Sequence, residues 1–241
     1  MTESILRLSD VAKTFGGLSA VDGVSFDVNK GDILGLIGPN GAGKTTLFNL
    51  ISGYYAPTRG KVFFKGEDIT GLPPYTLARM GIGRTFQVVK PFPGLSVLDN
   101  VLVASLCRYP TKKGAESHAW EILEFTGLAP RAHDPAASLT LPGRKRLEIT
   151  KALALEPELI LLDEVVAGLN PAEADQTIKL ILKIKDRGIS ILIVEHIMRV
   201  IMNISDQVVV LNFGRQIAIG RPAEVTQDPA VIQAYLGESA A

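Results

Sequence analysis

The apolar run Asp32–Ile37 (DILGLI) passes directly into Gly38-Pro39-Asn40-Gly41-Ala42-Gly43-Lys44-Thr45, after which Leu47, Leu50 and Ile51 recur at helical spacing. A strand covered on both faces is continuously apolar, and recurrence every three to four residues marks a helix with one buried side. Between them lies the pattern GxxxxGK[ST]. Such a loop needs glycine because successive backbone N–H groups must turn inward onto an anion. Lys44 is placed to reach β- and γ-phosphates, and the Thr45 hydroxyl to ligate Mg²⁺. The helix that follows turns its positive end to the same anion. A glycine turn with an incidental lysine would match by chance in about 1% of chains this long.

The rest of the chain is organised around that unit. Ile5, Leu6 and Leu8, then Val24, Phe26 and Val28, alternate as half-buried strands do. Lys61–Lys65 is another strand, and strands return at Leu159–Leu162, Ile189–Val194 and Gln207–Leu211. A helix over Pro171–Arg187 has Asn170 as N-cap, Pro171 at its first position and Glu173 to close a capping box. Strand–helix–strand order implies right-handed parallel crossovers and a doubly wound sheet. From about Val88 to Glu156 the patterns turn helical: Ser96–Leu106, Ser117–Phe125 and Lys145–Leu155. One α/β core, residues 1–87 and 157–241, is expected to carry a helical insert at 88–156.

Charge and composition exclude several classes. With 25 basic and 25 acidic residues in 241, the chain lacks the basic excess of a general nucleic-acid binder. One cysteine, Cys107, allows no internal disulfide and fits a reducing compartment. The chain is 46% hydrophobic, yet no run approaches the ~20 apolar residues of a membrane span. The opening MTESILRLSD lacks a basic stretch followed by an apolar one, so no secretory signal is expected.

Strand Leu159–Leu162 ends in Asp163-Glu164. Alone, such a pair is most often a solvated strand end; beside a phosphate loop, Asp163 is placed to hold Mg²⁺ and Glu164 to act as general base on water. His196 follows another core strand and could point a ring N–H at the γ-phosphate. His118 and His133 lack that context and read as structural. Gln87, in Arg84-Thr85-Phe86-Gln87, sits where core gives way to insert, with an amide that could touch Mg²⁺ or water. Phe15 could stack on an adenine face.

Taken in order, these residues resemble the ATP-binding subunits of ABC transporters over nearly the whole chain. The stretches KTFGGLSAVDGVSFDV, GIGRTFQ, LSVLDNVLVA and DEVVAGLNPAE look like the branched-chain amino-acid importer branch, GRTFQ being the most specific. The resemblance implies a RecA-type P-loop NTPase core with an N-terminal antiparallel β-subdomain and an inserted helical subdomain. It implies ATP and Mg²⁺ as ligands, with Phe15, Gly38, Asn40, Gly41, Gly43, Lys44, Thr45 and Thr46 on the nucleotide. Thr45, Gln87 and Asp163 would hold the metal, while Glu164, His196 and Gln87 would serve catalysis. Partners would be a second ATPase subunit in a head-to-tail dimer, two transmembrane permeases and, indirectly, a periplasmic binding protein. That places the chain on the cytoplasmic face of the inner membrane. Permease docking is expected near Gln87–Leu98, where Phe92 lies between Pro91 and Pro93.

Departures from the family pattern fall in the signature turn that meets the partner's ATP and in the loop after the carboxylates. Leu139-Thr140-Leu141-Pro142-Gly143 keeps a hydroxyl at Thr140 and a glycine at Gly143, but Pro142 has no N–H to donate. Val165 stands where a proline is common, and Asn170 where an aspartate is usual. Other readings are the ATPase of a lipopolysaccharide-type exporter, a soluble ABC ATPase of DNA repair or translation, and a nucleotide sensor with little turnover. Amides, urea and other small amino acids remain open as the transported solute.

Overall fold

The computed structural model describes residues 3–86 and 91–236. Alternation builds β1 (Ser4–Phe15) and β2 (Leu18–Asn29), in which Leu6, Leu8, Val24, Phe26 and Val28 all turn into the core. With β4 (Arg59–Phe64) and the short β5 (Glu67–Asp68) they form an antiparallel sheet in the order β2-β1-β4-β5. The continuous run at β3 (Ile33–Ile37) is buried at every position and lies within a second sheet. That sheet runs β10-β9-β3-β8-β7-β6, from β6 (Ile82–Arg84), β7 (Leu159–Asp163), β8 (Ser190–Val194), β9 (Gln207–Asn212) and β10 (Arg215–Gly220). All are parallel except β10, which turns back on β9. The doubly wound sheet therefore has an antiparallel edge, and its half-exposed strand lacks the apolar run of the central ones.

Side-chain alternation separates two cores. Leu34 and Leu36 face the antiparallel sheet and α1 (Lys44–Ile51), burying Leu47 and Phe48 with Leu6, Val24 and Phe64. Ile33 and Ile37 face the other way, onto α6 (Pro171–Asp186) and α7 (Met198–Ile204). A third cluster joins Val97 and Val101 of α3 (Val97–Ser105), Leu123 of α4 (Lys112–Thr126) and Leu147 of α5 (Leu141–Leu153). These three helices lie between β6 and β7 in the chain, while α2 (Pro74–Met80) precedes β6. The short α8 (Pro222–Val225) and α9 (Pro229–Leu236) follow β10.

The capping box at α6 forms as the sequence indicates: Asn170 Oδ1 accepts from the Glu173 N–H at 3.0 Å, and Glu173 Oε2 from the Asn170 N–H at 2.9 Å. Two helices start earlier than their apolar periodicity suggests. The Thr111 hydroxyl accepts from the Gly114 N–H, so α4 begins at Lys112 rather than Ser117. Helix α5 begins at Leu141 rather than Lys145, because a first turn needs no N–H from Pro142.

Candidate active site

Strand register decides which residues meet. Leu36 of β3 pairs with Val194 of β8, Val194 with Asp163 of β7, and Leu161 with Arg84 of β6. The phosphate loop, Glu195-His196, Asp163-Glu164 and Thr85-Phe86 therefore leave the sheet side by side. They do so at its carboxyl edge, where open α/β sheets bind ligands.

The loop from Gly38 to α1 is shaped by what its glycines leave out. A Cβ on Gly38 would sit 2.2 Å from the Leu211 carbonyl, and one on Gly43 would sit 2.4 Å from that of Ala20. Gly43 caps α1 at φ 100 with no side-chain hydrogen bond, so the first N–H groups of α1 face outward as an anion site. Lys44 is buried and folds over the loop, donating to the Gly38 carbonyl at 2.6 Å and the Pro39 carbonyl at 2.8 Å. Asn40, Gly41 and Thr45 are exposed, and Thr46 is partly buried.

Asp163 ends β7 almost fully buried, with its backbone N–H donating to the Thr85 hydroxyl at 3.1 Å. Burial pushes its carboxyl upward, opposed first by Arg84, whose guanidinium lies 3.6 Å away. Arg84 is itself drawn down by burial, with the Asp163 charge opposing. It donates to Asn49 Oδ1 at 2.8 Å and Ser52 Oγ at 2.5 Å, and its guanidinium carbon lies 5.9 Å from the Phe48 ring and 5.2 Å from the Phe86 ring. One arginine thus ties the end of α1 to the carboxylate strand. In the sequence Arg84 stands only within the family stretch GIGRTFQ.

Glu164 turns the chain at φ 50, and its Oε1 lies 3.4 Å from Nδ1 of half-exposed His196. The two catalytic candidates are therefore within reach of each other. Phe15 is 41% exposed and packs edge-on against Tyr55 at 5.2 Å, with the Lys13 ammonium 5.1 Å from its ring. Thr140 is the exposed N-cap of α5 without a side-chain cap bond, and Gly143 lies in its first turn. Gln87 lies outside the described residues. Two further buried charges, Lys145 and Glu195, stand behind Glu164, and neither was singled out from the sequence.

The donor set suits a polyphosphate and a hard cation. The lysine and the uncapped helix end suit phosphate, and the Thr45 hydroxyl and Asp163 carboxylate offer oxygen to a cation such as Mg²⁺. Among the described residues no three His, Cys, Asp or Glu side chains cluster as a self-contained metal cage. A metal here would share its coordination with phosphate oxygens.

Residues 21–167 match the ABC transporter family, and residues 215–241 match the branched-chain amino acid ATP-binding cassette transporter family. The chain is 40% identical to the high-affinity branched-chain amino acid transport ATP-binding protein BraF of Pseudomonas aeruginosa, over 99% of this chain and 100% of that one. It is 38% identical to the corresponding protein LivG of Escherichia coli K12, with the same coverage. The crystal structure of an ABC transporter ATP-binding cassette in its ADP conformation superposes with a TM-score of 0.89 at 36% identity, covering 98% of this chain and all of that one. With the phosphate loop, carboxylate pair and histidine on one sheet edge, the chain belongs to the ABC transporter ATP-binding proteins, in the branched-chain amino-acid branch.

Proposed function

We propose that this chain is the ATP-hydrolysing subunit of an importer for branched-chain amino acids, paired head-to-tail with a second ATPase subunit beneath two permeases. The observation that carries the reading is the register that brings Gly38–Thr45, Asp163-Glu164 and His196 to one edge. Lys44 and the N–H groups of α1 bind and orient the phosphates, and Phe15 receives the adenine. Thr45, Asp163 and Gln87 would hold Mg²⁺, which supplies charge neutralisation at the β- and γ-phosphates when bound. Glu164 takes the proton from the attacking water as general base, and His196, beside that carboxylate, steadies the γ-phosphate. Thr140 and Gly143 reach the nucleotide of the second subunit.

Among the described residues no helix is long and apolar enough to cross a membrane. We place attachment to the cytoplasmic face in the permease contact. An open apolar cleft of about 170 Å³ lies between Tyr54, Leu77, Phe86 and Leu155, with Tyr75 exposed nearby. Phe92 is 49% exposed, while buried Asn100 clamps its backbone by bonds to its N–H and C=O. Its side chain is therefore presented on a fixed loop, and this face is our docking surface, with residues 88–156 taken as the helical subdomain.

The test is reconstitution with the permeases and binding protein in proteoliposomes. Leucine, isoleucine or valine should stimulate ATP turnover and be taken up. Stimulation by amides or urea alone would overturn the solute assignment and leave the ATPase assignment standing. Phe92→Asp should abolish co-purification with the permeases while sparing ATP binding; undiminished co-purification moves the docking surface elsewhere.

A further inference from the structure

We propose that Lys145 is a positioning residue for hydrolysis: together with Glu195 it clamps the backbone turn that carries Glu164. The inference rests on the reading of Glu164 as base. Glu164 has φ 50, a left-handed conformation that a residue with a side chain keeps only where its surroundings hold it. Those surroundings are specific. The Glu164 N–H donates to the Val194 carbonyl at 2.9 Å, securing the turn to β8. The Glu164 carbonyl accepts from Lys145 Nζ at 2.6 Å, and the Val166 N–H donates to Glu195 Oε1 at 2.8 Å. The peptide groups on either side of Val165, directly after the turn, therefore end on buried ionisable side chains.

Lys145 and Glu195 are respectively 9% and 1% exposed. The second oxygen of Glu195, Oε2, is buried without a hydrogen-bond partner, so the carboxyl is placed for the Val166 N–H rather than for a full set of its own bonds. Burial raises Glu195, opposed first by the Val166 N–H and then by the Lys145 charge; burial lowers Lys145, opposed by Glu195 and then Glu164. Lys145 also lines a small cavity with Asp163, Glu164 and Glu148, beside the reacting groups.

The placement of Lys145 in the chain gives the clamp a purpose beyond stability. It lies in α5, whose first turn contains Thr140–Gly143, the stretch we read as facing the second subunit. A shift of α5 on engaging that subunit would move the Lys145 ammonium, and with it the Glu164 carbonyl. A misplacement of about 1 Å in a reacting group lowers turnover by about a hundredfold.

The experiment measures ATP turnover, ATP affinity by fluorescence titration, and amide hydrogen exchange of the 164–167 peptide. It compares Lys145→Met, Lys145→Arg and Glu195→Gln, each with and without Glu164→Gln. Lys145→Met should lower kcat about a hundredfold while leaving ATP affinity within about twofold, and should speed exchange in the turn. Lys145→Arg, which keeps the charge and a donor, should recover most of the loss. Added to Glu164→Gln, the Lys145→Met change should lower turnover by less than about threefold, since two residues acting as one unit do not add. Equal losses of kcat and ATP affinity, an unchanged kcat, or no rescue by arginine would overturn the proposal. If Lys145→Met does not fold, Glu195→Gln decides: it keeps an acceptor for Val166 but removes the charge facing Lys145. A lower kcat at unchanged affinity supports the clamp, and an unchanged kcat overturns it. Near-normal turnover in Glu164→Gln, with Lys145→Met still impaired, would remove the base assignment and leave the clamp in place.

Discussion

The starts of α1 and α5 are both helix N-termini assigned to phosphate, and they are built on different plans. At α1 the preceding glycines are required by backbone carbonyls at 2.2 Å and 2.4 Å from where a Cβ would lie, and a buried lysine covers the loop. At α5 the cap residue Thr140 is exposed, Pro142 removes one donor, and the nearest cation turns away: Arg144 donates to the carbonyls of Leu139 and Ala137. The first is a complete anion site within one chain. The second offers two orphan N–H groups, Leu141 and Gly143, ahead of the first helical bond from Arg144 to Thr140. The difference teaches that, on our reading, binding nucleotide and engaging a second subunit are separable in this chain, with the fuller set of donors at α1 and the sparser one at α5.

Breaking the α1 end should have the largest effect. Lys44→Ala removes the ammonium of the loop, and a hydrogen bond to a charged group contributes about 1.5–3 kcal/mol. We expect turnover to vanish and Mg-ATP affinity to fall about ten- to a hundredfold, read by phosphate release and equilibrium titration. Near-normal turnover would mean that the loop does not bind the reacting phosphates. Next comes Glu164→Gln, which should lower turnover by about 10²–10⁴-fold with ATP binding retained. Because ATP then persists, this variant should also accumulate as an ATP-bound dimer on a sizing column. Unchanged turnover would shift the base role, with His196 as first candidate from its 3.4 Å contact.

The same contrast explains what the sequence could disclose. The strand, loop and helix around Lys44 were legible because glycine, period and order all act locally. So was the start of α6, where Asn170 and Glu173 bond each other across one turn. The apolar pattern of α5 sets in four residues after its start, since Pro142 and Gly143 punctuate a sequence yet fit a first helical turn. Strand β6 is three residues with a central glycine, too short for alternation to register. Arg84, Lys145 and Glu195 went unnoticed as parts of the site for a different reason. Their partners, Asp163, Glu164 and Val166, come from other elements, and no spacing along the chain records a tertiary ion pair or a backbone clamp.

The buried pair behind Glu164 should also respond to pH. Burial raises the Glu195 carboxyl from 4.5 to about 7. The folded state therefore holds a proton that the unfolded chain releases between those values. Stability from this group is present below about pH 4.5 and is lost as pH rises to about 7, by up to about 3 kcal/mol. Glu195→Gln cannot titrate. Denaturant unfolding at pH 5, 6, 7 and 8 should show the variant gaining on the parent with rising pH and levelling above about 7. Parallel curves would mean that Glu195 titrates normally and that its enclosure is looser than the structure indicates.

The smallest effect should come from the α5 end, where Pro142 has two competing roles. As a helix starter it needs no N–H and presets the backbone of the first turn of α5. As a member of the partner-facing turn it withholds a donor from the second subunit's γ-phosphate. Replacing it with glycine separates the two. Glycine restores the N–H but enlarges the unfolded ensemble, so Pro142→Gly should lower thermal stability modestly, by about 1 kcal/mol or less. If the missing donor matters, the same change in a Glu164→Gln background should tighten the ATP-bound dimer about ten- to a hundredfold. Dimer dissociation measured against ATP concentration, beside a melting curve of the monomer, reads both quantities. A tighter dimer from a less stable monomer would establish that Pro142 restrains engagement of the second subunit. An equal or looser dimer would leave Pro142 as the residue that starts α5, and would assign the contact to the remaining N–H groups of Leu141 and Gly143 with the exposed Thr140 hydroxyl.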